Sequence, residues 1–403
     1  MTECNQTFFP FEAHFSRQVV GRFAGDRLTT EGGSLLLRQA ERKIGLLRRV
    51  AACFTDYRQP ERIEHRLEEM LAQRIYGLAL GYEDLNDHEQ LRQDPLLGVL
   101  AGKKDLGEPL AGKSTLNRLE LTPAGSPVAE RYSKNQLFGR STRHLLVDLF
   151  LEAYASAPRE IVLDLDATDT PLHGRQEARF FHGYYGHYCY LPLYVFCGDH
   201  LLCARLRPSN IDASAGSLEE LQRIVRQIRA RWPKTRIILR ADSGFCREEL
   251  LAWCENSDVD YVFGFARNKR LRRIIGRAMR EAKQQHRRTG IYLVTSLDAQ
   301  DWPAQKLYEQ LYCARGEMEN RIKEPAEPVR RPAQYGDVTG QSVAAVLLLT
   351  GLCACRGLTA TGLGGYGMGG SPGGYHSTEA IVGFTGTRAT MPVRFRTMIR
   401  RLS

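Results

Sequence analysis

Long apolar runs are missing from this sequence of 403 residues. The longest candidate, Ala344 to Cys355, is shorter than the roughly 18 residues that a membrane-spanning helix requires. Near the N-terminus an acidic residue, Glu3, comes early, and no apolar segment of the signal-peptide type follows it. We therefore expect a cytoplasmic protein that makes no use of a membrane.

The ten cysteines show neither a Cys-x-x-Cys pair nor a regular spacing. Disulfide frameworks and cysteine-based zinc sites usually have such spacing. His173, His182 and His187 also lack metal-ligand spacing with any cysteine. Reduced thiols are therefore expected, and a zinc site is not.

Positive charge is in modest excess over negative charge. Lys and Arg number 56 against 46 Asp and Glu, which gives a formal net charge of +10. The excess is compatible with a polyanionic partner such as nucleic acid, but charge alone does not identify that partner.

Lysine is absent after Glu324. Residues 325–403 contain 14 of the 37 glycines, eight arginines and three acidic residues, without a sustained apolar period. Such a segment lacks the apolar surface that would offset the entropy of ordering. We predict that residues 325–403 are a poorly ordered tail, the product of a shifted reading frame, with no part in the chemistry.

The rest of the chain divides into two regions by its apolar periodicity. From Gly33 to Tyr154 the period is helical, which predicts a helical N-terminal region over residues 1–157. After Pro158 short β-branched runs predict the order β-β-β-α-β-α-β. The predicted strands are 161–166, 184–196, 200–206, 236–242 and 261–265, and the predicted helices are 217–232 and 247–256. A helix at 270–285, a strand at 291–295 and a helix at 306–324 complete an α/β domain over residues 158–324.

Acidic residues follow two of the predicted strands. Asp164, Asp166 and Asp169 end the first strand, and Asp242 ends the strand at 236–242. Alternation along a strand places Asp164 and Asp166 on one face, so that one can be a metal ligand and the other its support.

A third carboxylate, Glu319, lies on the last predicted helix. Tyr312 and Arg315 precede it by seven and four residues, and Lys323 follows it by four, which places all four close to one stripe of the helix. Carboxylates from two strand ends and a helix suit two Mg²⁺ ions about 3.5–4 Å apart. The neighbouring Arg and Lys side chains would then bind backbone phosphates.

Each of these features also has an ordinary structural explanation. An Asp after a strand is usually a turn residue or a helix cap, and Glu with Lys four residues later is usually a surface ion pair. The combination, in this order of elements, is more specific than any single part of it.

Three segments carry a family resemblance. Residues 161–169 (IVLDLDATD), 239–248 (LRADSGFCRE) and 312–324 (YCARGEMENRIKE) resemble the signatures of group 1 DDE-domain transposases of bacterial insertion sequences. The last one contains the Tyr-x2-Arg-x3-Glu element of that class. Residues 77–88 and 183–194 also resemble the family, and the resemblance extends over residues 20–324.

The resemblance implies a ribonuclease-H-like catalytic core, a mixed sheet with flanking helices, preceded by an α-helical DNA-binding domain. It implies that Asp166, Asp242 and Glu319 are catalytic and hold two Mg²⁺ or Mn²⁺ ions. It also implies that Tyr312 and Arg315 contact transposon-end DNA. The partners would be double-stranded DNA, both terminal inverted repeats and target DNA, with a homodimer in the DNA complex. The expected reaction is cleavage at each element end, followed by attack of the freed 3′-hydroxyl on target DNA.

Three departures from the family pattern affect the expected activity. The pattern has Lys seven residues after the Glu, but Ala326 stands there, which leaves Lys323 as the nearby basic residue. The stretch from Phe265 to Lys306 is short where these enzymes carry extra β structure, and the Leu-rich ending expected after Glu324 is missing. We therefore expect weak or absent activity, and a non-catalytic, DNA-binding transposase remnant is an alternative.

A nucleotide-binding motif is the other alternative. Residues 107–114 (GEPLAGKS) match the Gly-x4-Gly-Lys-Ser P-loop, and residues 161–164 resemble a Walker B strand. A P-loop must follow a strand and open a helix, whereas the polar residues 102–106 precede this one. The competing interpretation is a helix capped by Ser114, with Lys113, Asn117 and Arg118 facing DNA as in helix-turn-helix proteins. A merely solvated helix face is the third interpretation.

Aromatic residues are frequent between residues 180 and 194. They could stack on splayed bases, but alternating aromatics more often fill a sheet face. We predict a core position for most of this set, which comprises Phe180, Phe181, Tyr184, Tyr185, Tyr188, Tyr190 and Tyr194.

Overall fold

A computed structural model describes the protein over residues 9–21, 29, 31–120, 135–137, 139–172, 179–266, 293–298, 300–316 and 318. The chain separates into two compact units between Gly139 and Arg140. Within the described ranges, none of the helices has both the length and the hydrophobicity that a membrane crossing requires.

The first unit contains two pairs of antiparallel strands. The hairpin of β1 (Phe9–His14) and β2 (Arg17–Gly21) begins it, and β3 (Phe54–Asp56) pairs with β4 (Asn135–Leu137). The helical prediction for residues 1–157 missed both pairs. These strands are short, and the register of the hairpin shifts between Phe11 and His14. For that reason, apolar and polar residues do not alternate over enough positions to predict a strand.

Helices form the rest of the first unit. They are α1 (Ser34–Ile44), α2 (Leu46–Ala51), α3 (Leu67–Leu80), α4 (His88–Leu91), α5 (Pro95–Ala101) and α6 (Lys113–Glu120), with 3-10 turns at Pro60–Arg62 and Leu85–Asp87. At the start of α3 the Arg66 amide donates to the Glu69 carboxylate over 3.3 Å, and Gly81 ends the helix at a φ of 95°. The core lies between α3, α1 and α5, where Leu37, Tyr76 and Leu97 are buried.

The second unit begins with α7 (Gly139–Glu152) and contains a six-stranded mixed sheet. In spatial order the sheet is β10-β9-β5-β11-β12-β13, in which β5, β11 and β12 are parallel and the other pairings are antiparallel. A second sheet has the order β6-β8-β7. The strands are β5 (Glu160–Ala167), β6 (Thr170–Pro171), β7 (Phe180–His182), β8 (His187–Tyr190), β9 (Leu193–Cys197), β10 (His200–Arg205), β11 (Arg236–Ala241), β12 (Asp260–Gly264) and β13 (Leu293–Thr295).

Helical segments cover both faces of the six-stranded sheet. On one face lie α7, α8 (Ser217–Arg231) and α9 (Glu248–Asn256), which bury Leu163, Ile224 and Leu250 in one core. On the other face a short α10 (Ala304–Lys306) continues as the π-helical segment Leu307–Tyr312. Leu307 and Leu311 pack there against Ile238 and Val262.

Helix α7 belongs to the second unit. The boundary between the two units therefore lies before residue 157, where the sequence analysis placed the end of the helical region. Phe150 and Leu151 are buried in the second unit's core. Arg143 also donates to Glu220 on α8 over 2.5 Å, and Gln227 donates to Asp148 over 2.6 Å. This packing explains why the change from helical to β periodicity after Pro158 comes later than the boundary in space.

The predicted mixed α/β architecture of residues 158–324 is confirmed, with one correction. The predicted single strand at 184–196 is two strands, β8 and β9, because Pro192 lacks an amide hydrogen and interrupts the pairing. The predicted helix at 270–285 and the tail at 325–403 lie outside the described residues. Of the last predicted helix, 306–324, the structure describes residues up to 316 and residue 318.

Candidate active site

Two carboxylates meet where adjacent parallel strands end. In the β5–β11 ladder Asp164 is opposite Arg240, and Leu165 is opposite Ala241. Asp166 and Asp242 are the next residues on the two strands. Because β5 and β11 are parallel, their carboxyl ends share one edge of the sheet, and the predicted pair is brought together there.

Strand alternation decides which way these side chains face. Leu163 and Leu165 point into the core with α7, α8 and α9, whereas Val162 on the opposite face packs near Leu311. Asp164 and Asp166 share the face of Val162, as predicted. They therefore lie on the side of the sheet that carries the segment with Tyr312 and Arg315.

Arg315 is the residue that joins the two carboxylates. Its Nη2 atom is 2.9 Å from Oδ1 of Asp166 and 3.9 Å from Oδ2 of Asp242. Because both oxygens approach the same nitrogen, they lie within about 7 Å of each other, a span that divalent ions can bridge. The Asp166 side chain is 10% exposed and that of Asp242 is 44% exposed, so the pair opens to solvent on the side of Asp242.

The loop after β11 holds Asp242 in place. The Gly244 amide donates to Oδ1 of Asp242 over 2.8 Å. A Cβ atom at Gly244 would lie 3.0 Å from that oxygen and 3.3 Å from Cβ of Ala213. The sequence Asp-Ser-Gly is therefore suited to a tight turn that presents one carboxylate oxygen inward and leaves the other toward Arg315.

A second arginine, Arg240, lies on β11 two residues before Asp242 and binds Asp164 on β5. It donates to both carboxylate oxygens of Asp164, with Nη2 to Oδ2 at 2.7 Å, and a further nitrogen donates to the Leu311 carbonyl. Both side chains of the pair are buried, at 8% and 2% exposed. Arg240 thus links β5, β11 and the segment that leads to Tyr312 and Arg315.

Tyr312 lies against the end of β12. A Cβ atom on Gly264 would be 2.6 Å from the Tyr312 hydroxyl, so this close approach requires glycine. Burial raises the pKa of Tyr312, the charge of Arg315 lowers it, and the carboxylate of Asp242 raises it further. Tyr312 and Arg315, predicted on one helical stripe, therefore both lie beside the carboxylate pair.

The second sheet borders the same edge. Asp169 accepts from His187 over 2.7 Å, and the Tyr185 hydroxyl donates to the Ala167 carbonyl over 3.5 Å. Burial raises the pKa of Tyr185 to about 12, and the carboxylates of Asp169 and Asp166 add to this shift. Sequence analysis assigned neither Tyr185 nor His187 to the site, although both lie in the segment 183–194 that resembles the family.

The remaining predicted site residues are in other places. Glu319 and Lys323 lie outside the described residues, although Met318, next to Glu319, is described and buried. Lys113 and Arg118 are exposed on α6 in the first unit. The structure therefore brings together Asp166, Asp242, Tyr312 and Arg315 of the predicted set.

The segment 107–114 does not have the structure of a P-loop. Helix α5, not a strand, precedes it, and the chain enters α6 at Lys113. The Lys113 amide donates to a carboxylate, Glu89, over 2.9 Å, and its Nζ donates to Oδ1 of Asn86 over 3.0 Å. Glu89 occupies the position that a phosphate would need. It is also the acceptor at the start of α6, a role we had predicted for Ser114.

The donor set suits a divalent cation as far as the structure describes it. Asp166 and Asp242 supply carboxylate oxygens, the ligands that hard cations prefer, and both already interact with a positive charge. Within the described ranges no cluster of three acidic, histidine or cysteine side chains forms a metal site, and the third predicted ligand, Glu319, is outside those ranges.

Comparison with known proteins identifies a family. The family model for the transposase DDE domain, group 1, matches residues 11–291 and 272–329. This match covers most of the chain and, with the mixed sheet, confirms the predicted ribonuclease-H-like core. Among curated proteins, none matches the sequence.

Among solved structures, this chain is similar to the cryo-EM structure of the piggyBac transposase synaptic complex with hairpin DNA. The two have a TM-score of 0.44 and 11% sequence identity, over 81% of this chain and 74% of that chain.

Proposed function

This chain belongs to the group 1 DDE-domain transposases, enzymes of the polynucleotidyl-transferase type, and on that premise we propose that it cuts and joins DNA strands at the ends of an insertion sequence. The observation that carries the proposal is the convergence of Asp166 and Asp242, from adjacent parallel strands, on the guanidinium of Arg315. Two carboxylates within about 7 Å of each other at a solvent-open edge favour cationic ligands.

We assign roles to the residues around this pair. Asp166, Asp242 and Glu319 would hold two divalent cations, Mg²⁺ or Mn²⁺. When bound, such ions neutralise charge on the attacking and leaving oxygens of the phosphodiester. Arg315, Tyr312 and Lys323 would bind the phosphates of the transposon end and fix the strand in line with the carboxylates.

The first unit would bind the DNA sequence at the element ends. Lys113 and Arg118 are both exposed on α6, five residues apart, where they can neutralise phosphates of the terminal inverted repeats. The chain would act in the cytoplasm, as a homodimer in the DNA complex, and target DNA would be its second substrate.

Strand cleavage tests the proposed catalytic residues. The substrate is a plasmid that carries the genomic DNA flanking this gene on both sides. Asp166→Asn, Asp242→Asn and Glu319→Gln should each reduce Mg²⁺-dependent cleavage at least about a thousandfold, equal to about 4 kcal/mol in the barrier. DNA affinity should stay nearly unchanged, because these side chains do not contact phosphates directly.

Asp258→Asn is the matched control for these variants. Asp258 is fully exposed and adopts a φ of 51°, a conformation that Asn tolerates as well as Asp. Its cleavage rate should equal that of the wild type. Cleavage that survives Asp242→Asn would refute the assignment of the pair.

A gel-shift titration over several salt concentrations tests the DNA-binding residues of the first unit. Lys113→Ala and Arg118→Ala should each weaken DNA binding and make its salt dependence shallower by about one unit. Unchanged salt slopes in both variants would place the DNA contact elsewhere.

A non-catalytic remnant is the second candidate. The family match comes in two segments that overlap over residues 272–291, within the stretch predicted to be shortened, and it ends at residue 329. If the wild type binds its flanking DNA but makes no cut under any divalent metal, the remnant is the correct description.

A further inference from the structure

An exposed aromatic surface lies on the hairpin formed by β7 and β8. Seven large hydrophobic side chains are exposed in the described part of the chain, and four of them belong to this hairpin. They are Phe180, Phe181, Tyr184 and Tyr188, which are 40%, 57%, 87% and 46% exposed. Such concentration of apolar surface indicates a binding surface, whereas single exposed side chains do not.

Phe181 and Tyr188 form an ordered arrangement with a cation, whereas Phe180 pairs with Cys189 and lies on the opposite face of the hairpin. Phe181 and Tyr188 are cross-strand partners whose rings meet edge to face at 5.7 Å. The guanidinium of Arg179 lies 4.8 Å from the centre of the Tyr188 ring. Tyr184 projects from the turn, which Gly186 closes by donating from its amide to the His182 carbonyl over 2.8 Å.

The opposite face of the hairpin fixes it to the rest of the second unit. Cys189 is buried, and His187 donates to Asp169. The Ser209 hydroxyl also donates to the Phe180 carbonyl over 2.9 Å. The hairpin is therefore anchored by one face while the other face stays in solvent.

The tip of the hairpin is next to the carboxylate pair. The ring of Tyr184 contacts that of Tyr185 at 5.0 Å, and the Tyr185 hydroxyl reaches the carbonyl of Ala167, the residue after Asp166. A strand whose phosphate sits at Asp166 and Asp242 would therefore have its neighbouring bases at this surface.

We propose that the β7–β8 hairpin binds unpaired bases of the DNA strand beside the cutting site, with Tyr184 and Tyr188 as stacking surfaces and Arg179 as the phosphate contact. This proposal rests on the proposed function, which supplies DNA as the partner and the carboxylate pair as the cutting site. Duplex DNA hides its base faces, whereas every unpaired base offers one, so aromatic stacking is tolerant of sequence. The guanidinium of Arg179 beside the Tyr188 ring favours a nucleic acid strand over an apolar protein surface.

A pair of single strands of about 20 nucleotides, longer than a typical stacking site, tests the proposal. One is oligothymidine and the other has the same phosphates but abasic sugars, both fluorescently labelled. The full-length wild type should bind oligothymidine about tenfold more tightly, the effect expected for stacking of one or two bases. Tyr184→Ala combined with Tyr188→Ala should remove this preference and leave the affinity for the abasic strand unchanged.

Two further variants make the result specific. Tyr184→Trp keeps a stacking surface and should retain the preference. Tyr57→Ala removes an exposed tyrosine of the first unit, 37% exposed, and should also retain it. Asp166→Asn, which tests cleavage, should leave the base preference intact, so failure of the catalytic assignment and failure of the hairpin proposal are distinguishable.

Two outcomes would overturn the proposal. One is a wild type that binds both strands equally. The other is a double alanine variant that keeps the base preference; if that variant also changes the oligomeric state, the surface is an interface between copies of this chain.

Discussion

Two carboxylate–arginine pairs lie two residues apart on β5, and their surroundings differ. Asp164 with Arg240 is almost fully buried, and the arginine also bonds to the Leu311 carbonyl. Asp166 shares Arg315 with a second carboxylate, Asp242, which is 44% exposed. The first pair is almost inaccessible to solvent, whereas the second brings two carboxylates to one arginine at an open edge.

We propose that this difference separates a structural role for the first pair from a chemical role for the second. Nothing could enter between Asp164 and Arg240 without breaking the two hydrogen bonds that join them. At Asp166 the excess negative charge can be compensated by an incoming cation or by a protein group. We propose that the same residue types, on the same face of one strand, serve different purposes because Arg315 also approaches the exposed carboxylate of Asp242.

The largest expected effect on stability is at the buried pair. Asp164→Asn should lower the free energy of unfolding by about 3 kcal/mol, because it leaves the buried charge of Arg240 without its partner. Asp166→Asn should change it by less than about 1 kcal/mol, because Asp242 stays close to Arg315 and one unfavourable repulsion is removed. Urea unfolding of both variants measures the difference.

A double variant sharpens the same comparison. Asp164→Leu with Arg240→Met replaces the ion pair by apolar groups and should recover most of the loss. Equal destabilisation by Asp164→Asn and Asp166→Asn would show that the two pairs do not differ in role.

An intermediate effect is expected at Gly264. Gly264→Ala places a methyl group against the Tyr312 hydroxyl and the Ser243 amide, which should cost about 1–3 kcal/mol in thermal or urea unfolding. Adding Tyr312→Phe should return part of this loss, because the nearest clashing atom is removed. Gly183→Ala is the control, since nothing lies within 4 Å of a Cβ there; a loss of the same size in the control would contradict the account.

The smallest effect concerns a buried group that stays neutral, His88 in the first unit. Burial and then the charge of Arg74 lower the pKa of His88 to about 3. In the unfolded chain, His88 takes up a proton below its ordinary pKa of 6.5, whereas in the folded protein it stays neutral until the pH approaches 3. The contribution of neutral His88 to the free energy of unfolding is therefore complete above pH 6.5 and is lost as the pH falls from 6.5 toward 3. Between pH 7 and 5.5 the wild type should lose about 1 kcal/mol more than His88→Gln. Identical pH slopes in urea unfolding would contradict this.

The sequence was sufficient for two strands that are buried on both faces and for the amphipathic helix between them. The pattern of β5, α8 and β11 is strongly apolar and bounded by turn residues, so their prediction was close to the structure. The hairpin of β7 and β8 was misjudged, because aromatics that alternate look the same whether they are covered or exposed. Tyr188 is exposed and Tyr190 is buried. The difference comes from the residues that pack against each ring, and sequence periodicity does not identify those residues.

The two aspartates of the site could be predicted from the sequence, whereas the arginine that supports them could not. Asp166 and Asp242 could be found because parallel strands end at one edge, a rule of topology that needs no side-chain detail. Arg240 was missed as a support, although it stands two residues before Asp242 and therefore on the same face. Whether a strand arginine is buried depends on a distant partner, here Asp164 and the carbonyl of Leu311.

Mn²⁺ titration of the full chain, followed by the electron paramagnetic resonance signal of the free ion, tests the central claim most directly. The account predicts that Asp166→Asn and Asp242→Asn each raise the Mn²⁺ dissociation constant at least about tenfold, or about 1.4 kcal/mol, and that Asp258→Asn leaves it unchanged. A wild-type dissociation constant in Asp166→Asn would contradict the account, because the carboxylate pair would then not be the cation site.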